Sequence, residues 1–301
     1  MEPRAKQTVG MLGLGIMGSA MSANLMAAGF PVVGHDVAAG RLDAFEAAGG
    51  QPASSAADVA ARADIVVSVL PSVAALDDVV AGPRGLLAAG RRGVVLVEAS
   101  TFPIEDKERV RGLCGDSITM LDCPLSGTGA QAVTRDLAVY ASGERGAFER
   151  CRPVFDGFAR SCHYLGEFGN GSRMKYVANL LVAIHNVSAA EAFVLGMKSG
   201  LAPEDIYRVI ADGAGSSRMF EVRGPMMVRG DYDAATMKVE IWQKDMKIIA
   251  EFAARLGAPT PLLAASAAFY TAAMAQGRGA QDTASVCAVL EDMARHRRTA
   301  D

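Results

Sequence analysis

Polar side chains recur at helical spacing in an otherwise apolar segment, residues 169–195 (GNGSRMKYVANLLVAIHNVSAAEAFVL). Lys175, Asn179 and Asn186 fall within ~40° of one another on a helical wheel. Burying an ammonium or an amide without a partner is costly, so this stripe needs either a packed polar neighbour or a polar cleft. In a cleft, a lysine can take a proton from an alcohol and return it to a carbonyl, and an amide one turn away can hold the reacting oxygen. The spacing leaves both interpretations open, a structural polar contact and a catalytic face.

A glycine-rich turn near the N-terminus has the spacing of a dinucleotide-binding site. The apolar run 8–14 leads into GLGIMG, and a helical pattern follows at 19–28. A strand, a glycine turn and a helix in this order let the backbone approach a pyrophosphate at the helix N-terminus. The next apolar run ends in an acid 23 residues after Gly13, the separation at which a carboxylate meets the adenosine ribose. The predicted cofactor contacts in this stretch are Gly13, Gly15, Ile16, Met17, Gly18 and Asp36.

The acid at Asp36 also predicts which cofactor is used. Its carboxylate should accept hydrogen bonds from the ribose hydroxyls and repel a 2′-phosphate, so NAD is expected in preference to NADP. Arg41 is the one nearby cation that would weaken this preference.

Short apolar runs rich in Val and Ile alternate with helical patterns as far as residue 168, and no strand is predicted beyond that point. This alternation predicts an α/β fold, with a parallel, doubly wound Rossmann-type sheet in residues 1–168. A long helix at about 171–198 then leads into an all-helical C-terminal domain, residues 169–301. Turns are predicted there at Gly224-Pro225, Gly230-Asp231, 257–259 and 277–279.

Residues that follow the predicted strands are further candidate cofactor contacts, because ligands of open α/β sheets bind outside the carboxyl ends of the strands. Leu70 ends the apolar run 65–70 and Pro71 follows it. Ser100 and Thr101 follow the run 94–97, and Ser126 follows a shorter run. We expect these turns to converge on one cleft. Ser100 and Thr101 are equally suited to cap the next helix, which would not exclude a cofactor contact.

Composition narrows the class of protein. The 301 residues are 50% hydrophobic and carry a formal net charge of −3, which predicts a large core and no nucleic-acid partner. The five cysteines have neither CxxC spacing nor a histidine cluster, so no metal site is predicted and a cytoplasmic location with reduced thiols is expected. Glycines interrupt the apolar N-terminus and polar residues interrupt the long helix. Neither a signal peptide nor a membrane span is therefore predicted.

Four segments, in this order, resemble the β-hydroxyacid dehydrogenase family: GLGIMGSAMSANL, DCPLSG, GNGSRMKYVAN and QKDMKIIAEFA. The resemblance implies a two-domain enzyme that moves a hydride between nicotinamide and the β-carbon of a small hydroxy acid, and we expect a homodimer or homotetramer. It also implies site roles: Lys175 as the catalytic general acid and base, Asn179 beside it, Ser126 and Gly127 with Thr128 at the substrate carboxylate, Pro71 and Thr101 on the nicotinamide side, and Lys244 on the cofactor.

Departures from the family pattern bear on the substrate. Ala178 stands where the family often has a second asparagine, but Asn179 keeps its four-residue spacing from Lys175. Several polar residues are predicted to border the pocket: Thr128, Gln131 and Arg135 in place of the usual glycines, and Ser216, Ser217 and Arg218. They favour a C3 or C4 acid that bears extra hydroxyls. The alternatives are an L-threonate-type dehydrogenase acting at C2 and a non-catalytic NAD-binding protein.

Overall fold

The computed structural model of the chain describes residues 6–298, and these divide into two compact units. The first unit ends at Lys175 and the second begins at Tyr176, seven residues later than the boundary expected at 168. The reason is that the start of the long helix belongs to the first unit. There the Gly171 amide donates to Ser142 Oγ (2.9 Å) and the Ser172 amide donates to Asp122 Oδ2 (2.8 Å).

The first unit is built on a six-stranded sheet in the order β3-β2-β1-β4-β5-β6, in which every pair is parallel. Successive residues of its central strands pack into different cores: Met11 contributes to one cluster and Leu12 to another. A sheet covered on both faces needs continuous apolar runs, which is what these strands have. The strands are β1 (Val9–Leu12), β2 (Val32–His35), β3 (Gln51–Pro52), β4 (Ile65–Ser68), β5 (Val94–Glu98) and β6 (Ile118–Asp122).

Three further strands form a separate small sheet: β7 (Leu125–Ser126), β8 (Ala138–Ala141) and β9 (Ser161–Tyr164). Strands β7 and β8 are antiparallel, while β8 and β9 are parallel. The prediction of a single parallel sheet up to residue 168 is therefore wrong for this part. Only Cys123 and Pro124 separate β6 from β7, far fewer than the dozen or more residues that a parallel crossover needs.

Helices alternate with these strands and cover both faces of the large sheet. The helices of the first unit are α1 (Ile16–Ala27), α2 (Ala39–Ala47), α3 (Ala56–Arg62), α4 (Val73–Ala81), α5 (Ile104–Cys114), α6 (Gly129–Val133) and α7 (Arg145–Phe158).

The second unit is helical apart from an isolated bridge between Lys238 and Asp282, so the predicted α/β fold with an all-helical C-terminal part is confirmed. The prediction of a turn at Gly224-Pro225 is wrong, because both residues lie inside a helix. A side chain at position 224 would come within 2.5 Å of the Tyr207 ring, so this glycine serves close helix packing and does not end the helix. The helices are α8 (Asn170–Lys198), α9 (Pro203–Ala211), α10 (Arg218–Arg229), α11 (Val239–Arg255), α12 (Pro261–Ala275) and α13 (Val286–Met293).

Helix α8 is long and apolar enough, by length and composition alone, to cross a membrane. Ala183, Val187 and Phe193 on this helix are nevertheless buried within the protein. A core helix of a folded protein passes the same test of length and composition, and α8 is packed as such a helix.

A buried carboxylate links the helices of the second unit. Asp282 is fully buried and accepts hydrogen bonds from the Arg223 guanidinium (3.0 Å) and from the amides of Thr236, Met237 and Ala284. Burial by itself raises the pKa of Asp282, but Arg223 and these amides lower it more, so the pKa lies below its ordinary value. Asp282 therefore stays ionised and joins α10 to the start of α11 and to the segment before α13.

Candidate active site

The turns that follow the central strands lie side by side along one edge of the large sheet. The backbone hydrogen-bond ladder continues one residue beyond each strand, with N to O distances of 2.8–3.0 Å from Gly13 to His35, from Val69 to Leu12, from Ala99 to Ser68 and from Cys123 to Glu98. The turns after these strands therefore lie next to one another, and the expected cleft that they would form stays a prediction.

Each glycine of the first turn is explained by a different neighbour. Gly13 has a φ of 90°, and a side chain there would overlap the Val69 carbonyl oxygen; a side chain at Gly18 would overlap the Gly13 carbonyl oxygen. At Gly15, the nearest atom to an added Cβ is Arg41 Nη1 at 3.8 Å, so the start of α1 is open. Ile16 is exposed and Met17 is half-buried. This open backbone cradle at a helix N-terminus fits a dinucleotide pyrophosphate.

Asp36 lies at the end of β2 and is tied to the same turn. Its Oδ2 accepts hydrogen bonds from the Leu14 amide (2.7 Å) and from Arg41 (3.3 Å), and its Oδ1 accepts from the Ala38 amide (2.9 Å). Burial alone raises the pKa of Asp36, but the Ala38 and Leu14 amides and Arg41 lower it more, so the pKa lies below its ordinary value. An ionised carboxylate with a fixed orientation is the group that ribose hydroxyls need.

Ser100 joins two neighbouring turns. Its Oγ accepts a hydrogen bond from the Leu70 amide (2.8 Å), and its own amide donates to Glu98 Oε1 (2.9 Å). Helix α5 has Pro103 as its N-cap residue, so the alternative that Ser100 or Thr101 caps this helix is wrong. Thr101 is half-buried and Pro71 is exposed at the same edge.

The segment after β6 reaches the start of α1. Ser126 ends β7, Gly127 has a φ of 133°, and a side chain at Gly129 would overlap the Ile16 side chain. Thr128 forms a capping box with Gln131 at the start of α6. The structure thus brings Gly129 against Ile16 at the start of α1, and the Thr128 hydroxyl is engaged in capping.

The structure gives no support to the interpretation of Arg135 as a pocket residue. Arg135 is exposed, with a φ of 59°, and its guanidinium donates to the Asp156 carbonyl oxygen on α7 (2.5 Å). It lines an open surface depression with Asp136, Asp156 and Arg160, among others. A glycine would suit this position, since glycine adopts positive φ without strain.

The polar run before α10 is also partly structural. Ser217 Oγ caps α10 by accepting from the Phe220 amide (3.1 Å), and Arg218 pairs with Glu221 (3.2 Å). Ser216 Oγ is buried without a hydrogen-bond partner among the residues that the structure describes.

The polar stripe of α8 divides into different environments. Lys175 is half-buried, whereas Asn179 and Asn186 are buried. Asn186 Nδ2 donates to Tyr270 Oη (3.1 Å) and to the Thr283 carbonyl oxygen (2.7 Å), which makes it a structural polar contact. Asn179 Nδ2 donates to the carboxylate of Asp245 (2.9 Å), one turn of helix from Lys175.

Asp245 was missed by the sequence analysis. It lies on α11 and is buried, and Lys244 Nζ lies 3.6 Å from its Oδ1. Its neighbours at helical spacing, Trp242 and Ile249, are buried apolar residues. An acid on the apolar face of an amphipathic helix is costly unless it has a partner, and this pattern is the signal that could have identified Asp245.

The remaining nucleophiles and ligands do not suggest another chemistry. Burial raises the pKa of Cys114 to about 11 and that of Cys151 to about 12, so these thiols are not reactive near neutral pH. Within residues 6–298, no group of three or more His, Cys, Asp or Glu side chains could hold a metal ion.

Two family models together match nearly the whole chain, one for each part of the fold. Residues 8–166 match the NAD binding domain of 6-phosphogluconate dehydrogenase, and residues 169–290 match a family described as NAD-binding of NADP-dependent 3-hydroxyisobutyrate dehydrogenase. The chain belongs to the 3-hydroxyisobutyrate dehydrogenase, or β-hydroxyacid dehydrogenase, family. It is a hydroxyacid dehydrogenase that acts on CH–OH donors with NAD or NADP.

Individual relatives share this class but differ in substrate. The L-threonate dehydrogenase of Cupriavidus necator is 33% identical over 286 residues, which cover 94% of this chain and 96% of that protein. The 2-(hydroxymethyl)glutarate dehydrogenase of Eubacterium barkeri is 31% identical over 288 residues, 95% of each. The structure of 3-hydroxyisobutyrate dehydrogenase from Salmonella typhimurium has a TM-score of 0.85 at 31% identity, covering 94% of this chain and all of that one. At nearly equal identity, these names fix a reaction class and leave the substrate open.

Proposed function

We propose that the chain oxidises the β-carbon alcohol of a small hydroxy acid, and reduces the corresponding carbonyl, with Lys175 as general acid and base. The observation that carries this proposal is the arrangement of α8: Lys175 lies one turn before Asn179, whose amide is held by the buried Asp245 carboxylate. A solvated polar stripe would not need a buried carboxylate on its partner helix.

The residues divide the reaction between them. Lys175 takes the hydroxyl proton as the alcohol is oxidised and returns it in the reverse direction. Asn179 hydrogen-bonds the reacting oxygen, and Asp245 fixes the orientation of its amide. When bound, the nicotinamide supplies the hydride acceptor or donor.

Substrate orientation is assigned to the segment Ser126–Thr128. The Ser126 hydroxyl and the Gly127 amide are donors suited to a carboxylate, whereas the Thr128 amide already donates to Gln131 Oε1 (3.1 Å). Holding the carboxylate there sets the distance from the acid group to the carbinol carbon, which is how positioning accelerates the reaction.

NAD is proposed as the preferred cofactor. Gly13, Gly15 and Gly18 would hold the pyrophosphate with Ile16 and Met17, and Asp36 would bind the ribose hydroxyls. Leu70, Pro71, Ser100 and Thr101 would contact the nicotinamide side, with Lys244 as a further contact. The support for NAD over NADP is that Asp36 is ionised and oriented by three donors.

A C3 or C4 acid with extra hydroxyls is proposed as the substrate. Arg135 no longer supports this, and Ser217 and Arg218 have structural partners. The remaining support is the similarity to L-threonate dehydrogenases, which also favours a second candidate, oxidation of L-threonate at C2.

The test is a panel of L-threonate, glycerate and 3-hydroxyisobutyrate with NAD and with NADP, followed through the absorbance of the reduced cofactor. Lys175→Ala is the control: we expect turnover to fall by roughly 10²–10⁴-fold with the affinity for NAD retained. Near-normal turnover of this variant would return Lys175 to a structural role. Higher efficiency with 3-hydroxyisobutyrate would refute the polar substrate, and NAD binding without turnover of any acid would favour a non-catalytic protein.

We infer that the protein forms a homodimer or homotetramer in a reducing cytoplasm. Met174, Val177 and Leu181 form an exposed apolar stripe on α8, being 42%, 56% and 46% exposed. None of the five cysteines forms a disulfide, which supports a reducing compartment. Light scattering after size exclusion, and cell fractionation, test the two inferences; a monomer or an exported protein would contradict them.

A further inference from the structure

A fully buried lysine lies beneath the cofactor edge of the first unit. Lys107 on α5 has no exposed surface, and its Nζ contacts three acceptors: Glu98 Oε2 (2.6 Å), Asp122 Oδ1 (2.8 Å) and the Ser100 carbonyl oxygen (2.7 Å). It donates hydrogen bonds to Asp122 Oδ1 and to the Ser100 carbonyl oxygen, and its contact with Glu98 Oε2 is an ion pair. Burial lowers the pKa of Lys107, but the two carboxylates raise it more, and the group stays charged.

Asp122 connects this cluster by hydrogen bonds to the first turn of α8, the helix on which Lys175 lies. Its Oδ1 also accepts from Ser172 Oγ (2.8 Å), and its Oδ2 accepts from the Ser172 amide (2.8 Å). Ser142 Oγ donates to Asp122 and accepts from the Gly171 amide (2.9 Å). Two carboxylates and one ammonium leave one net negative charge, which suits the amides in the first turn of a helix.

The same ammonium also fixes the neighbouring cofactor turn. The Ser100 carbonyl accepts from Lys107, the Ser100 amide donates to Glu98 Oε1, and Ser100 Oγ accepts from the Leu70 amide. One buried side chain is therefore bonded to the turn after β5 and, through Asp122, to the first turn of α8.

We propose that Lys107 is a positioning residue for the reaction: with Asp122 and Ser172, it sets the first turn of α8, and hence Lys175, relative to the Ser100 turn. This proposal rests on the role of Lys175 stated above. A cluster that only held the sheet together would not need to bond both the helix start and the cofactor turn.

The test separates charge balance from positioning. Glu98→Gln with Lys107→Met removes one charge of each sign, so the buried net charge stays the same while the two hydrogen bonds and the Glu98 ion pair of the ammonium are lost. Ser172→Ala removes only the hydroxyl bond to Asp122. Arg109→Met is the matched control, because Arg109 lies on the same helix with exposed ion pairs to Asp77 and Asp106.

We expect the double variant to keep the KM for the hydroxy acid while kcat falls by about 10–100-fold, as for a displacement of about 1 Å at the reacting groups. Ser172→Ala should lower kcat by about tenfold in the wild-type background and by much less in the double variant, because linked residues are not additive. Arg109→Met should behave as wild type. A double variant with wild-type kcat, or fully additive effects, would overturn the proposal.

Hydrogen exchange provides a measurement that does not depend on activity. The amides of Gly171 and Ser172 should exchange about tenfold or more faster in the double variant, while those around Ala183–Val194 stay unchanged. Unchanged exchange at 171–172 would refute the positioning role even if the enzyme were inactive with every acid in the panel. If the amides of residues 171–172 exchange faster in the double variant but the wild-type protein is inactive, the link between Lys107 and the first turn of α8 would be supported and the proposed function contradicted. If the double variant does not fold, the kcat of Ser172→Ala and its hydrogen exchange at residues 171–172 test the proposal on their own.

Discussion

Replacing Asp36 by Asn should remove most of the preference for NAD. The change keeps the size of the side chain and an oxygen that can accept from the Ala38 amide, but it removes the negative charge that faces a 2′-phosphate. A unit charge about 5 Å away is worth about 1–3 kcal/mol near a protein surface. The hydrogen bonds from the ribose to a charged acceptor are worth about 1.5–3 kcal/mol more. Since about 1.4 kcal/mol is a factor of ten, we expect the ratio of kcat/KM with NAD to that with NADP to fall by about 10²–10⁴-fold.

A substitution of Arg41 tests the same electrostatic argument, and its expected effect on the preference for NAD is opposite in sign. Its Nη1 lies 3.3 Å from Asp36 Oδ2 while its side chain stays 56% exposed, so it partly neutralises the carboxylate and is available to a phosphate. Arg41→Met should therefore raise the preference for NAD by a few-fold, by the same electrostatic reasoning.

The assay is steady-state kinetics with both cofactors at a saturating concentration of one hydroxy acid. Asp43→Asn is the control, because it removes an exposed carboxylate from α2, the helix that carries Arg41. A wild-type enzyme more efficient with NADP, or an Asp36→Asn ratio within about threefold of wild type, would refute the electrostatic assignment.

Three other outcomes follow from contacts in the structure. Asp245→Asn should lower kcat by about 10–100-fold in steady-state assays, because Asn179 loses a charged acceptor worth about 1.5–3 kcal/mol. Asp282→Asn should lower the free energy of unfolding of the helical unit by about 3–5 kcal/mol in urea at pH 7, since it leaves Arg223 buried without its anion. The pKa of Asp282 is lowered by folding, so its contribution to the free energy of unfolding is fully present above the unfolded-state pKa of about 3.9 and is lost as the pH falls through the lower folded-state pKa. The difference in unfolding free energy between Asp282→Asn and wild type should therefore be smaller at pH 3 than at pH 7. Arg135→Ala should leave the order of substrates in the panel unchanged, and a changed order would restore it as a pocket residue.

Features that depend on local rules could be predicted from the sequence. The glycine turn and the distance from Gly13 to Asp36 are set by backbone geometry within one βαβ unit, and the structure shows Asp36 bonded to the Leu14 amide. The long helix was predicted at about 171–198 and is observed at Asn170–Lys198. Helical periodicity and the residues that break it are properties of the segment itself.

Features that depend on distant partners could not be predicted. Nothing near Arg135 in the sequence indicates that its guanidinium would reach the Asp156 carbonyl on α7. The Gly224-Pro225 pair is a typical turn signal, but it lies inside α10 because the missing side chain lets Tyr207 pack closely. Lys107 was not singled out, since a lysine among charged residues on a helix is ordinarily exposed.

Asn179 and Asn186 show where such reasoning ends. Both lie on one face of α8, and periodicity assigns them the same environment. Asn186 meets the Tyr270 hydroxyl and the Thr283 carbonyl, which are neutral partners, whereas Asn179 meets the Asp245 carboxylate. A neutral amide needs only a neutral partner to be buried without cost, so a buried carboxylate beside Asn179 is more than packing requires. Asn179 lies one helical turn from Lys175, and its charged acceptor is the physical reason why we propose a role in the reaction for Asn179 and a structural role for Asn186.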